Sequence, residues 1–306
     1  MELINTHIVP SLEERQRLST YLPGVFDELP SGKASKKAIK AEVVFVNGDQ
    51  GFSHTWVHEN DRIELYGKPQ RITPNRLWIE VVFDSEDYAV VVKPPGIKVS
   101  GNEHRTLQNA LPRVLRECKH KDALAMPRPV HRIDVPTSGL LLVAKTYSFL
   151  RYALELFETG RVSKTYHAIV EGACPVSGVI KEDLDGKNAE SAFEKIETFS
   201  SVKNGRLSFV SLYPRTGRTH QLRKHMMSIN HPIVGDKLYN RHGKLTGKGL
   251  FLAAVGLAFV NQQGERVSHE METPPKFSSL IEREKRWLKR VQHREELSRM
   301  IMADEE

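Results

Sequence analysis

Between residues 79 and 275 the chain is a succession of short apolar runs, some alternating and some apolar throughout, with helical patterns at irregular intervals between them. YAVVVK (88–93), LLLVAK (140–145), KTYHAIVE (164–171), SAFEKIE (191–197), RLSFVSLY (206–213) and FLAAVGLAF (251–259) have the length and composition of strands. Residues 106–118, 147–158 and 220–229 carry helical spacing. A strict strand–helix alternation would build a parallel sheet. Helices inserted irregularly into runs of strands predict instead an α+β fold, with a mixed, largely antiparallel central sheet flanked by helices.

Upstream, residues 11–20 and 34–41 read as short helices. VVFV (43–46) reads as a strand closed by the tight-turn dipeptide Asn47-Gly48, and residues 62–65 read as a second strand. This small α/β unit is expected to span residues 1–67, followed by a linker at 68–78, the main domain at 79–275 and a C-terminal helix at 276–306. In that last helix Leu280, Ile281, Leu288 and Val291 fall at helical spacing among charges, as in a helix that caps a domain.

Lys and Arg outnumber Asp and Glu by 45 to 38, a net charge of +7 with a pI near 9.3, which favours polyanions mildly. Placement says more. Lys33, Lys36, Lys37 and Lys40 lie three to four residues apart with no acid between them, forming one basic helix face that either meets phosphates or is simply solvated. The two cysteines, Cys118 and Cys174, have no paired spacing, so neither disulfide nor thiolate metal site is expected and a reducing cytoplasm fits. Residues 1–18 lack the basic start and apolar run of a signal peptide. The longest apolar stretch, 251–260, is too short for a bilayer, so no membrane association is expected. Neither GxGxxG nor GxxxxGK[ST] occurs and no metal-ligand spacing is evident, so no nucleotide, metal or other cofactor is expected.

Two segments carry candidate chemistry. PVHRIDVPTSGLLLVAK (129–145) sets His131, Arg132 and Asp134 just before the turn residues Thr137, Ser138 and Gly139 and an apolar strand. A loop feeding a rigid strand can hold a catalytic side chain firmly, but an Arg–Asp ion pair on a surface turn would look the same. RTGRTHQLRKHM (215–226) places Leu222, Met226 and Ile229 on one stripe of a helix beginning near Thr219, with Arg223 at its edge. A half-buried arginine must keep its guanidinium paired, so a carboxylate from another segment is expected nearby. His220 and His225 are five apart, unlike the four-residue spacing of a helical zinc pair.

HRIDVPTSGLLLVAK and GRTHQLRKH resemble two defining motifs of the RluA-type pseudouridine synthases. KPPGIKV (93–99), KTYHAIVEG (164–172) and PIVGDKLY (232–239) are similar to three more in the same order. The resemblance covers roughly residues 80–275. It implies a pseudouridine-synthase fold and an isomerase acting on uridines of structured RNA, ribosomal or transfer, without a cofactor and as a monomer. By the same resemblance Asp134, Tyr166 and Arg223 would be the catalytic aspartate, the active-site tyrosine and the basic partner of the aspartate. Arg132 would fill the gap left by a flipped base, and His131, Thr137, Arg218, His220, Gln221 and Leu222 would contact the substrate. RLSTYL (17–22), PSGKASKKAIK (30–40), VVFVNG (43–48) and NDRIEL (60–65) resemble an S-four-type RNA-binding module, which would make Lys33, Lys36, Lys37 and Lys40 RNA contacts. Departures from the two patterns are Ser19, Gly32, the Val135-Pro136 pair, and Ala253 where histidine is common.

Pseudouridine formation breaks a base–sugar bond, turns the base and rejoins it through carbon five. An ionised carboxylate can attack covalently or stabilise the positive charge that develops. Two other classes stay open on the sequence: a non-catalytic RNA-binding or assembly factor with the same fold, and a glycosidase or nucleoside hydrolase, which would normally need two cooperating carboxylates. The terminal helix could likewise touch RNA instead of only capping the domain.

Overall fold

The computed structural model describes residues 2–12, 14–67, 77–101, 103, 105–240, 243, 245 and 247–303. The chain divides into two compact units, Met1–Pro74 and Asn75–Glu306. The expected linker at 68–78 falls almost wholly outside the described residues.

The first unit contains β1 (Glu2–Ile8), β2 (Gln16–Arg17), α1 (Leu18–Tyr21), α2 (Gly32–Lys40), β3 (Val44–Val46), β4 (Asp49–Gln50), β5 (Trp56–Val57) and β6 (Arg62–Gly67). A four-stranded sheet runs in the order β1-β6-β3-β4, and β2 pairs with β5. The helix expected over residues 11–20 shrinks to the single turn of α1, because Gln16 and Arg17 are taken into pairing with Val57 and Trp56. β1 was not expected. Its pattern does not alternate, and only pairing with β6, some sixty residues away, makes it a strand. α2 is capped by Ser31, whose hydroxyl accepts from Ala34 N, and it buries Ser35, Ala38 and Ile39 while Lys33, Lys36, Lys37 and Lys40 are exposed.

The second unit contains β7 (Glu80–Asp84), β8 (Tyr88–Lys93), α3 (Leu107–Val114), β9 (Ala123–Pro129), β10 (Ser138–Thr146), α4 (Tyr147–Glu158), β11 (Ser163–Glu171), β12 (Ser177–Lys181), β13 (Glu190–Ser201), β14 (Gly205–Pro214), α5 (Gln221–Ser228), β15 (Leu252–Val260), β16 (Arg266–Glu270) and α6 (Lys276–Ala303). One sheet runs β12-β13-β14-β11-β15-β10-β8-β7, with β9 also pairing β10 and β16 also pairing β15. Among the described strands the single parallel contact joins β10 to β15, so the sheet is mixed and largely antiparallel, an α+β fold as the sequence predicted. α3 ends four residues earlier than expected. Pro112 sits inside the helix, which runs on to Val114, and Leu115 then swings into extended backbone and the core.

β10 is apolar throughout because both its faces are covered. Leu140, Leu142 and Ala144 pack with Phe149, Ala153 and Leu156 of α4, while Leu141 and Val143 pack with Leu107 and Leu111 of α3. The same logic governs β11: Ala168 and Val170 face Leu222 and Met226 of α5, and Ile169 faces Phe277, Leu280 and Ile281 of α6. The terminal helix therefore covers the sheet, and its buried Glu284 accepts from Ser201 Oγ on β13 at 2.9 Å. Leu288 and Val291, further along, are only half-buried. No helix among the described residues is long and apolar enough to cross a membrane.

Where β10 meets β15, Gly139 has φ +121°, and a Cβ there would lie 2.1 Å from the Ala254 carbonyl oxygen. Ala253 lies beside this contact, paired with Ser138 and fully buried. Gly139→Ala is expected to lower unfolding stability by about 3 kcal/mol or more. A shift of the denaturant midpoint would report it, and a wild-type midpoint would show that the two strands can part at no cost.

Candidate active site

The loop between β9 and β10 is built by side chains that alternate in direction. His131 and Ile133 turn inward: the His131 ring stacks on Phe157 at 4.5 Å between centroids, and its Nε2 accepts the Leu142 amide at 3.1 Å. Burial, helped by the charge of Lys164, pushes the imidazole down to about 3, so it is neutral, and the Leu142 bond places its proton on Nδ1. Ile133 sits in the core against α3. Arg132 points outward and is exposed, and Asp134 is half-buried.

The loop is also held from behind. Thr137 N donates to Asp134 O at 3.1 Å, and Gly96 N donates to Val135 O at 2.7 Å. Lys93, fully buried, donates its three protons to the carbonyls of Pro94, Ile97 and Val135. Burial pushes this amine down to about 8, with the charge of Asp134 acting the other way. Lys93 thus fixes the residue following Asp134. It was visible in the KPPGIKV motif but not singled out, because a lysine at the end of a strand normally reads as solvent-facing.

α5 supplies the opposite wall. Leu222 and Met226 are buried and Ile229 packs beside them, which turns Arg223 inward with only 5% exposure. Its Nη1 stands 3.3 Å from Asp134 Oδ2. The stronger grip is elsewhere: Nε donates to Asp236 Oδ2 at 2.7 Å and Nη2 to Asp236 Oδ1 at 2.8 Å, a two-pronged pair. Asp236 also accepts the amides of Leu238 and Tyr239. Burial alone would disfavour the charged form of both partners. The mutual hydrogen bonds and charges outweigh it, so Arg223 is held above its ordinary pKa and Asp236 below its own. The sequence placed one carboxylate near Arg223, and the structure brings two. Asp236 lies in PIVGDKLY and carried no signal beyond that motif.

Tyr239 lies with its ring 5.0 Å from the Arg223 guanidinium carbon and its hydroxyl 3.0 Å from His220 Nδ1. His220 precedes α5 in left-handed backbone, φ 56°, and its Nε2 is 4.0 Å from Asp134 Oδ1. On β11, Tyr166 faces the same space, and burial, with Asp134 adding, raises its phenol above the ordinary value so that it stays protonated. Lys164, two residues earlier and so on the same face of the strand, lines the site as well. That i, i+2 spacing was the available signal for it.

These walls enclose a cleft of about 710 Å³, lined by His131, Arg132, Asp134, Thr137, Tyr166, Arg218, His220, Gln221, Leu222 and Arg223 among others. All the residues of the second unit expected at the site therefore meet at one place, but they do not have equal freedom. The Gln221 amide is fully used inside the protein: it donates to Glu190 O and Ser191 Oγ and accepts from Thr216 Oγ1 and Arg218 N, so it holds the 215–221 loop in shape. Thr137 is buried, and its Oγ1 has no hydrogen-bond partner among the described residues. Arg218 donates Nε to Asn188 O, and its side chain is otherwise exposed. Lys33, Lys36, Lys37 and Lys40 belong to the other unit.

A family model described as RNA pseudouridylate synthase matches residues 87–228. Ribosomal large subunit pseudouridine synthase D of Zymomonas mobilis is 33% identical over 246 residues, covering 70% of this chain and 75% of its own. A protein of Aquifex aeolicus named as an uncharacterized RNA pseudouridine synthase is 27% identical over 298 residues, 87% of this chain and 93% of its own. Among solved structures, human RNA Pseudouridylate Synthase Domain Containing 1 is similar with a TM-score of 0.55 and 26% identity, over 64% of this chain and 84% of that one.

Removing one partner of a buried ion pair strands the other charge. Asp236→Ala is therefore expected to destabilise the protein by about 3–5 kcal/mol. Equilibrium unfolding measures this, and a loss below about 1 kcal/mol, the range of an exposed pair, would show that Arg223 does not depend on Asp236.

Proposed function

Because the chain belongs to the RNA pseudouridylate synthase family, and is thus an isomerase of RNA uridine, we propose that it acts on uridines of structured ribosomal RNA in the cytoplasm, as a monomer, with Asp134 as the essential group. Ribosomal RNA is favoured over transfer RNA by the name of the Zymomonas relative. The observation that carries the catalytic reading is the placement of the Asp134 carboxylate in a cleft within reach of a buried guanidinium.

A uridine stacked in folded RNA reaches such a cleft only by flipping out, at a cost of a few kcal/mol. Arg132, exposed on the loop that carries Asp134, is suited to occupy the vacated position by stacking on neighbouring bases. In the cleft the uracil meets the Tyr166 ring, a flat apolar surface. The Asp134 carboxylate, paired with Arg223, then acts on the sugar or the base as the bond between nitrogen one and the sugar breaks. After the base turns and carbon five bonds to the sugar, carbon five loses its proton and nitrogen one gains one, so substrate and product are isomers. A protonated Tyr166 phenol is a poor base, so it fits better as platform and hydrogen-bond donor than as the group that first takes this proton.

With RNA tritiated at carbon five of uridine, Asp134→Asn is expected to cut release by about a thousandfold or more. Release equal to wild type would refute a catalytic Asp134, and free uracil as product would mark a hydrolase. Replacing Lys33, Lys36, Lys37 and Lys40 by Ala should weaken RNA binding and lower the slope of log affinity against log salt by roughly three, with little effect on single-turnover chemistry. An unchanged slope would mean these lysines are only solvated.

A further inference from the structure

His220 is presented to the cleft in an unusual way. Its backbone is left-handed, a conformation that strains a residue with a side chain and persists where surrounding structure imposes it. Here Lys224 N holds its carbonyl and Tyr239 holds its ring. Burial lowers its pKa, with the charge of Asp134 opposing, so the ring is neutral and carries one proton.

Two placements of that proton exist. On Nδ1, donated to the Tyr239 oxygen, it would leave the Nε2 lone pair facing the Asp134 carboxylate, which is repulsive. On Nε2, with the Tyr239 hydroxyl donating to Nδ1, the N–H faces the carboxylate. The Arg223 guanidinium against the Tyr239 ring also favours the phenol as donor. The arrangement thus selects an Nε2–H opposite Asp134 Oδ1.

The 4.0 Å between these atoms exceeds a hydrogen bond. It suits one intervening atom about 2.8 Å from each, accepting from the histidine and donating to the carboxylate. In uridine, the two carbonyl oxygens only accept and the N3–H only donates, and within an RNA chain the 3′ and 5′ oxygens are esterified. The 2′-hydroxyl is the one atom of the reacting nucleotide that does both. We propose that His220 Nε2 and Asp134 Oδ1 grip the ribose 2′-hydroxyl of the target nucleotide, so that the site admits RNA and discriminates against DNA, with Tyr239 orienting His220.

The proposal rests on the catalytic reading of Asp134, which the tritium measurement on Asp134→Asn tests separately. Single-turnover rates on RNA containing uridine or 2′-deoxyuridine at the target give a preference ratio for each enzyme. Any intrinsic difference in reactivity of the two sugars cancels when these ratios are compared. His220→Ala is expected to reduce the wild-type preference at least about tenfold, and His220→Gln, which keeps an N–H donor, to restore most of it. Equal slowing on both RNAs would overturn the proposal and leave His220 a structural residue. If His220→Ala turns over neither RNA, Tyr239→Phe decides: it keeps the ring against Arg223 and removes only the hydroxyl. A fall in preference of about threefold or more supports the grip, and an unchanged ratio overturns it.

Discussion

The Arg223 guanidinium is the interaction on which the site depends. It is one buried cation between two carboxylates, gripped through two nitrogens by Asp236 and offered through the third to Asp134. A planar fork held at two points cannot rotate, so the position of the third nitrogen is fixed by Asp236 and not by Asp134. The Asp134 carboxylate therefore meets a cation whose orientation is already set. Such a centre is stable only when complete, since each member alone would be an unpaired charge in a low-dielectric setting.

That requirement propagates outward. Asp236 is fixed by two backbone amides of its own turn. The preceding Gly235 lies so close to Gly249 that a Cβ would stand 1.9 Å from its carbonyl oxygen. Tyr239 closes the turn over the guanidinium and reaches His220, whose ring returns to Asp134. On the far side Lys93 and His131 anchor the Asp134 loop to the end of β8 and the middle of β10. Arg132 and Val135 are the members of this loop left facing solvent.

Periodicity made much of the second unit legible. Runs such as LLLVAK are apolar on both faces because helices cover both, and α4 matches the expected 147–158. The strands that escaped notice, β1, β2, β4, β5, β7, β9, β12 and β16, are short or lie at margins of their sheets, where one-sided packing imposes weak patterning. The expected helix at 11–20 failed because a distant segment competes for Gln16 and Arg17, and α3 stopped early where Leu115 turns extended to enter the core.

The sequence by itself determined which side chains would be offered to the site: the Asp134 loop before a buried strand, Tyr166 within a strand, and Arg223 at the edge of an apolar helical stripe. The first and last follow from local spacing, which a linear chain displays directly, while Tyr166 came from the resemblance of KTYHAIVEG to a family motif. Only the tertiary structure decided how their charges are shared. Whether Arg223 serves one carboxylate or two, whether Gln221 faces substrate or its own loop, and which nitrogen of His220 carries the proton all depend on atoms tens of residues away. Hydrogen bonds and ion pairs act over about 3 Å, and that proximity exists only once the sheet has brought β10, β11 and α5 together.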